Sequence, residues 1–440
     1  MFVCSWVLLM LAFLQQDRAV ELFERAQDLH ERGEYERAVV LYREVIAILP
    51  DAVEPKYQCA AALLATDKAA AAQEASMLLE QVIGLNPQML RAYELLAEAK
   101  LRCGDTLAAE RLLTELLKLD PKNQAVRVRL AELALRSNNS TKAVELLEQT
   151  DLDKQGLELL AVALEGRGDA RAALSVYDRL IALSPEVEYF KRRGVLRLQL
   201  GEYALAVEDL SKAPSTDADA ALMLAEGLIK IGRKDEALSV AEGIRPADAL
   251  MRARLAEVFV AAGKIAVGIN YLEQAVTETK QSDLEMMARL AELLIQTDAG
   301  RAIEYWQQVL AHERRADYIT GYASALLKSG KFAEAAAEYR QALKLQPSYE
   351  AKAGLALALF KLEAFAEAAQ QFLALIEQRP TVAINYYFLA ICFDKLGDLL
   401  RAERAYLRFK ELAGSEYQLE VDKVNLRLPI LRRQIEKKGK

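Results

Sequence analysis

The chain has 440 residues, of which only 20 are glycine and 10 proline, well under the ~7% and ~5% of average proteins. Apolar residues at 53% and charged residues at 28% exclude a disordered or collagen-like chain, and four cysteines exclude a disulfide framework. A formal charge of −7 argues against nucleic-acid binding by a whole-surface field; two distant histidines, His30 and His312, argue against a multi-histidine metal site or proton relay.

The first element in chain order is residues 2–14, which are uncharged and mostly apolar. They are too few to span a bilayer as a helix, for which about 20 residues are needed. They match the apolar core of a secretory signal peptide, although no Lys or Arg precedes them and no Ala-x-Ala site follows. Residues 1–18 are therefore set apart as a signal peptide or apolar N-terminal segment. As a signal it places the mature chain in the periplasm or outside the cell; otherwise it packs as a helix on the first repeat and the chain is cytoplasmic. No membrane span is expected in the mature chain.

From residue 19 the sequence is periodic. Small residues recur at Ala38, Ala75, Ala109, Ala143, Ala173, Ala206, Ala237, Gly268, Ala302, Ala335, Ala368 and Ala402, spaced by about 33 residues on average. Each sits a few residues after a glycine or polar turn, at the start of an amphipathic helical pattern, as in Gly-Asp-Ala-Arg-Ala-Ala-Leu-Ser-Val-Tyr at 168–177. A second column, Ala26, Ala97, Ala131, Ala161, Gly194, Ala225, Ala256, Ala291, Ala323, Ala356 and Ala390, precedes its partners by eleven or twelve residues. Two small residues in that relation let antiparallel helices approach closely. Six prolines, at 50, 87, 121, 185, 347 and 380, close the units. Around 206–268 the spacing falls to 31, which predicts shortened turns between units, and the turn at Asp298–Gly300 reads one residue short.

The unit resembles the tetratricopeptide repeat, a 34-residue helix–turn–helix. Ala323, Ala335 and Ala342, with Tyr339 between the last two and Pro347 at the end, carry the likeness well. The resemblance covers residues 19–413 in roughly twelve units and implies an all-α, right-handed α-solenoid. Its stacked hairpins would bury a continuous core that none could form alone. Residues 414–440 read as a capping helix and basic tail, with Val421, Val424, Leu428 and Leu431 over the last repeat and an interruption near Pro429. Cys59, Cys103 and Cys392 fall on helical patterns, where cysteine packs as a small hydrophobe. A Cys59–Cys103 disulfide is the sharper alternative.

In the resembling family, first helices bind extended peptides or partner helices, usually through unit positions two, five, nine, twelve and thirteen. Position nine reads Glu98, Glu132, Val162, Val195, Glu226, Glu257, Glu292, Ser324, Leu357 and Ile391. Glu98, Glu132 and Glu226 have Arg102, Arg136 and Lys230 four residues on, the spacing of intrahelical ion pairs. Glu257 and Glu292 lack such a partner, which makes them candidates for a basic segment. Lys191 and Arg192, with Arg193 and Arg197, are candidates to hold a carboxylate. Phe360 and Tyr387 fall at groove positions and suggest an apolar peptide pocket. Phe23 and Gln27 stand where the family's carboxylate clamp would begin, so binding of chaperone C-terminal tails is not expected.

No phosphate loop, nucleophile elbow or metal spacing occurs, so neither cofactor nor metal is expected. The leading expectation is a non-enzymatic scaffold that binds a protein or peptide partner, in cell-envelope assembly or secretion. The alternatives are an accessory subunit of an enzyme complex and, less favoured, a helical-repeat nucleic-acid binder.

Overall fold

The computed structural model describes residues 2–66, 68–148 and 151–438; the side chains of residues 2–14, 69 and 438 lie outside that description. Among the described residues every regular element is a helix. The chain divides into two compact units, Met1–Ala213 and Pro214–Lys440. The first unit holds six antiparallel hairpins: α1 (Phe2–Glu31) with α2 (Tyr35–Ile48), α3 (Val53–Ala65) with α4 (Ala69–Leu85), α5 (Leu90–Arg102) with α6 (Thr106–Leu119), α7 (Gln124–Arg136) with α8 (Ser140–Leu147), α9 (Lys154–Arg167) with α10 (Ala170–Leu183), and α11 (Val187–Gln199) with α12 (Tyr203–Leu210). The second holds six more: α13 (Ala218–Lys230) with α14 (Lys234–Glu242), α15 (Ala249–Ala261) with α16 (Ile265–Glu278), α17 (Leu284–Thr297) with α18 (Ala299–His312), α19 (Ala316–Lys328) with α20 (Phe332–Leu345), α21 (Tyr349–Lys361) with α22 (Phe365–Gln378), and α23 (Ala383–Lys395) with α24 (Leu399–Leu412). A short 3₁₀ turn and α25 (Gln418–Lys438) complete it.

Local chemistry sets these boundaries. Eight glycines with φ between +75° and +89° end first helices, because the left-handed cap excludes most side chains. At Gly168 the amide of Asp169 donates to Leu164 O at 2.9 Å, and the Asp169 carboxylate then accepts from Ala172 N at 3.2 Å. One turn thus closes α9 and caps α10. Asn138 and Glu363 take the same left-handed role in two other hairpins. Asn139, part of a glycosylation-like tripeptide, caps α8 by accepting from Lys142 N. Between α17 and α18 a single residue, Asp298, is both the last cap and the next N-cap, which makes this the shortest turn among the described residues.

Every alanine of the second-helix column is fully buried. The first-helix column gains a member that spacing did not reveal, Ala60 on α3, also fully buried. It escaped the pattern because α4 has 17 residues, three more than most second helices: Ala72, buried twelve residues after Ala60, is its partner, and Ala75 lies one turn further on. The short spacing around 206–268 has a different cause from the one expected. Second helices α12 and α14 have only 8 and 9 residues, against 14 in most, while the connections after them are long. The predicted interruption at Pro429 is also corrected. α25 is continuous, and Pro429 lies on its exposed side, where water can hydrate the carbonyl that proline leaves without a donor.

No disulfide joins Cys59 and Cys103. Cys59 is buried, its thiol pushed up to about 12 by burial, whereas Cys103 is exposed at the end of α5. A helix-end position turned to solvent cannot meet a core thiol. Among the described residues no helix is long and apolar enough to cross a membrane. The backbone of residues 2–14 is part of α1, but their side chains lie outside the description, and the reading of residues 1–18 rests on sequence.

Candidate partner-binding surface

The first helices offer their polar faces to solvent, and there the carboxylate row takes a form that the four-residue spacing alone did not predict. Glu98 pairs with Arg102 as expected, at 2.8 Å. Glu132 instead accepts from Arg129 at 2.9 Å, and Glu226 accepts two hydrogen bonds from Arg254 on the next first helix, at 2.9 and 2.7 Å. Glu257 and Glu292, read as lacking partners, share one: Arg289 holds Glu257 with two hydrogen bonds of 2.7 and 2.9 Å and reaches Glu292 at 3.0 Å. The partner lies 32 residues from Glu257, so only stacked repeats bring it near. These bonds, chiefly those to Glu257, raise the Arg289 pKa above its ordinary value. All three side chains remain roughly half exposed, so the ladder screens the acidic row from a purely basic ligand but leaves it open to a mixed-charge one.

The cationic cluster on α11 does hold carboxylates, but they belong to the chain. Arg193 donates to Asp209 at 2.8 and 2.7 Å and to Asp178 at 2.5 Å; Arg197 donates to Asp209 at 2.6 Å. Asp209 is only 1% exposed. Arg192 lies against Glu188 and Glu165 at 3.0 and 3.4 Å. Lys191 is half-buried on the same helix. The cluster therefore clasps α11 to α12 rather than standing open for a ligand.

Phe360 and Tyr387 are half-buried members of a ring-to-ring series. Phe360 meets Phe388 at 5.0 Å, Tyr387 meets Phe388 at 5.5 Å and Phe409 at 5.2 Å, and Phe372 stacks on Phe388 at 5.6 Å. Burial raises the Tyr387 hydroxyl pKa. Aromatic neighbours occupy the inward side of both rings, so they serve packing first.

The structure adds a cleft that the residue-by-residue reading missed. Glu94, Ala97, Glu98 and Leu101 of α5, Leu113 of α6, and Ala125, Val126 and Arg129 of α7 line a space of ≈ 190 Å³. Its floor is apolar and its rim is Glu94, Glu98 and Arg129. Ligand pockets for drug-sized molecules run to roughly 300–1,000 Å³, so this one suits a single side chain. Glu94, Glu98 and Leu101 stand at unit positions five, nine and twelve, so the signal was present once those positions were read together.

Two family models described as tetratricopeptide repeat match this sequence, one at residues 159–221 and 320–383, the other at 103–164. No curated protein matches it. Among solved structures it is similar to that of the APC/C hetero-tetramer Cut9–Hcn1, at 13% identity and a TM-score of 0.42, covering 93% of this chain and 96% of that one. It is similar to Naa15/Naa10 bound to HypK-THB, at 15% identity and a TM-score of 0.38, covering 96% and 79%. It is also similar to the P58(IPK) TPR domain, at 17% identity and a TM-score of 0.33, covering 96% and 99%. The matched segments and the helical hairpins agree on one conclusion: the chain carries tetratricopeptide repeats.

Proposed function

We propose that the protein is a non-enzymatic adaptor that takes an extended segment of another protein along its first-helix faces. The observation that carries this reading is the α5–α7 cleft, whose apolar floor and charged rim fit one anchoring side chain of a peptide. The Glu–Arg ladder on α13, α15 and α17 belongs to the other unit and its carboxylates are already paired, so it serves as the comparison surface. The test is capture of partners by the full chain, by a Glu94→Ala/Arg129→Ala variant and by a Glu257→Ala/Glu292→Ala variant. Loss of a partner from the first variant and its retention by the second is the expected result. Equal capture by both variants and the native chain would remove the cleft from the account.

The compartment belongs to the same proposal. The uncharged apolar run at residues 2–14 supports export, which places the adaptor in the cell envelope or in secretion. N-terminal sequencing of the protein from its native host should then start beyond that run; Met1 on the mature chain would sink cleavage.

A further inference from the structure

α25 has two apolar faces, and the fold uses only one. Val424, Leu428 and Leu431 are buried against the last hairpin. On the opposite side Leu419, Leu426 and Ile430 are 73%, 76% and 51% exposed. At 3.6 residues per turn these three fall on one line, with Lys423 and Arg433 on either side of it and Lys437 in continuation.

The cations of this helix divide in the same way. Arg427 donates to Asp394 at 2.7 and 2.6 Å, and Arg432 donates to Glu403 at 2.6 Å, so both tie α25 to the last hairpin. Lys423, Arg433 and Lys437 are exposed and make no ion pair among the described residues. Residues 418–440 carry seven cations against three carboxylates, in a chain whose net charge is −7. Positive charge is thus gathered around an aliphatic stripe that the core does not need.

We propose that this outer face of α25 docks the protein on an anionic lipid surface. Charge complementarity selects the sign of the surface. Area selects its kind. A helix of 21 residues is about 31 Å long and ~10 Å wide, a footprint of roughly 300 Å². A standard protein interface buries about 800 Å² on each partner, so this face alone falls short of one. A symmetric contact between two copies would also set Lys423, Arg433 and Lys437 against their own kind. A membrane interface needs only a convex helix whose aliphatic side chains enter the headgroup boundary while flanking cations meet lipid charge.

The experiment is flotation of the full chain with phosphatidylcholine vesicles, with and without phosphatidylglycerol. Two variants accompany the native chain, Leu419→Gln/Leu426→Gln/Ile430→Gln and Lys423→Gln/Arg433→Gln/Lys437→Gln. Their positions are exposed, so the thermal transition should not move. Every sample keeps residues 1–18, so binding through that segment cancels between them. The native chain should bind the anionic vesicles, more weakly as salt rises. The cation variant should lose about a hundredfold in affinity and the aliphatic variant about tenfold or more. Equal retention of both variants, or no preference for anionic vesicles, would overturn the proposal. So would a dimer of the native chain that both variants abolish in the absence of vesicle binding, which would give the face to a second copy.

Discussion

The α11–α12 and α15–α16 hairpins both carry glycine where neighbouring repeats carry alanine, and they do so for different reasons. A Cβ on Gly194 would lie 2.8 Å from Leu210 Cγ, so that glycine makes room for a side chain. A Cβ on Gly268 would lie 2.8 Å from the backbone oxygen of Ala256 and 2.5 Å from Val260 Cγ2, so that glycine admits a backbone. The first hairpin has a short partner helix and recovers its hold through the Arg193–Asp209–Arg197 clasp. The second has two helices of 13 and 14 residues that close tightly and pack Phe259 flat on Tyr271 at 5.3 Å. One letter in an alignment column therefore stands for two mechanisms, side-chain accommodation with ionic fastening and close helix approach.

The sharpest way to break this comparison is Asp209→Asn. It leaves Arg193 and Arg197, whose side chains are 13% and 15% exposed, beside a neutral amide. Removing one partner of a buried pair costs about 3–5 kcal/mol. Hydrogen exchange should show the loss in α11 and α12 and leave α15 and α16 protected; unchanged protection in α12 would mean that the clasp adds nothing. Next comes Gly268→Ala, expected to cost about 1–3 kcal/mol because a backbone carbonyl has no rotamer to change. Gly194→Ala should cost less, since the added methyl meets only side-chain atoms, Leu210 Cγ at 2.8 Å and Asp209 Cβ at 3.3 Å, and no backbone oxygen. Melting curves of the two variants in the reverse order would refute the distinction.

A smaller effect of opposite sign is expected at the α21–α22 turn. Glu363 holds φ +59°, a conformation costing most residues about 1–2 kcal/mol, so Glu363→Gly should raise stability by about 1 kcal/mol. A lower melting temperature in that variant would show that the glutamate side chain outweighs its strain. The smallest effect concerns pH. His30 packs on Tyr35 and Tyr42 with ring centroids at 5.3 and 6.2 Å, and its buried Nδ1 has no partner. Desolvation, opposed by the nearby Glu31, holds its pKa below the ordinary 6.5. The unfolded chain then takes up the proton first as pH falls below 6.5, so the stability of α1–α2 declines there and levels off below the folded-state value. Exchange protection of α2 should follow that window in the native chain and lose the dependence in His30→Gln.

Much of the fold was legible because its signals are local. The alanine columns read off as buried positions, and turn glycines as left-handed caps, since helix periodicity and capping act within a few residues. The register failed where a local length changed, at the lengthened α4 and the truncated α8, α12 and α14. The candidate surface was harder. Arg289 reaches Glu257 across 32 residues, Arg254 reaches Glu226 across 28, and Arg193 closes on Asp209 across 16. No intrahelical spacing rule could pair them. The cleft at Glu94, Leu113 and Arg129 likewise draws on three successive helices.

The sequence by itself thus determined the unit: two antiparallel helices, small residues between them and a turn that only certain residues close. Tertiary structure alone decided which charges were already spent on the fold and which remained for a partner. The physical reason is distance. Residues three or four apart meet on any helix, whereas residues near thirty apart meet only when consecutive hairpins stack. Stacking brought Arg289 to Glu257, while the three-residue spacing on α17 gave it Glu292; closure of the α11–α12 hairpin turned Arg193 and Arg197 inward, and the outer face of α25 kept cations and aliphatic side chains exposed together.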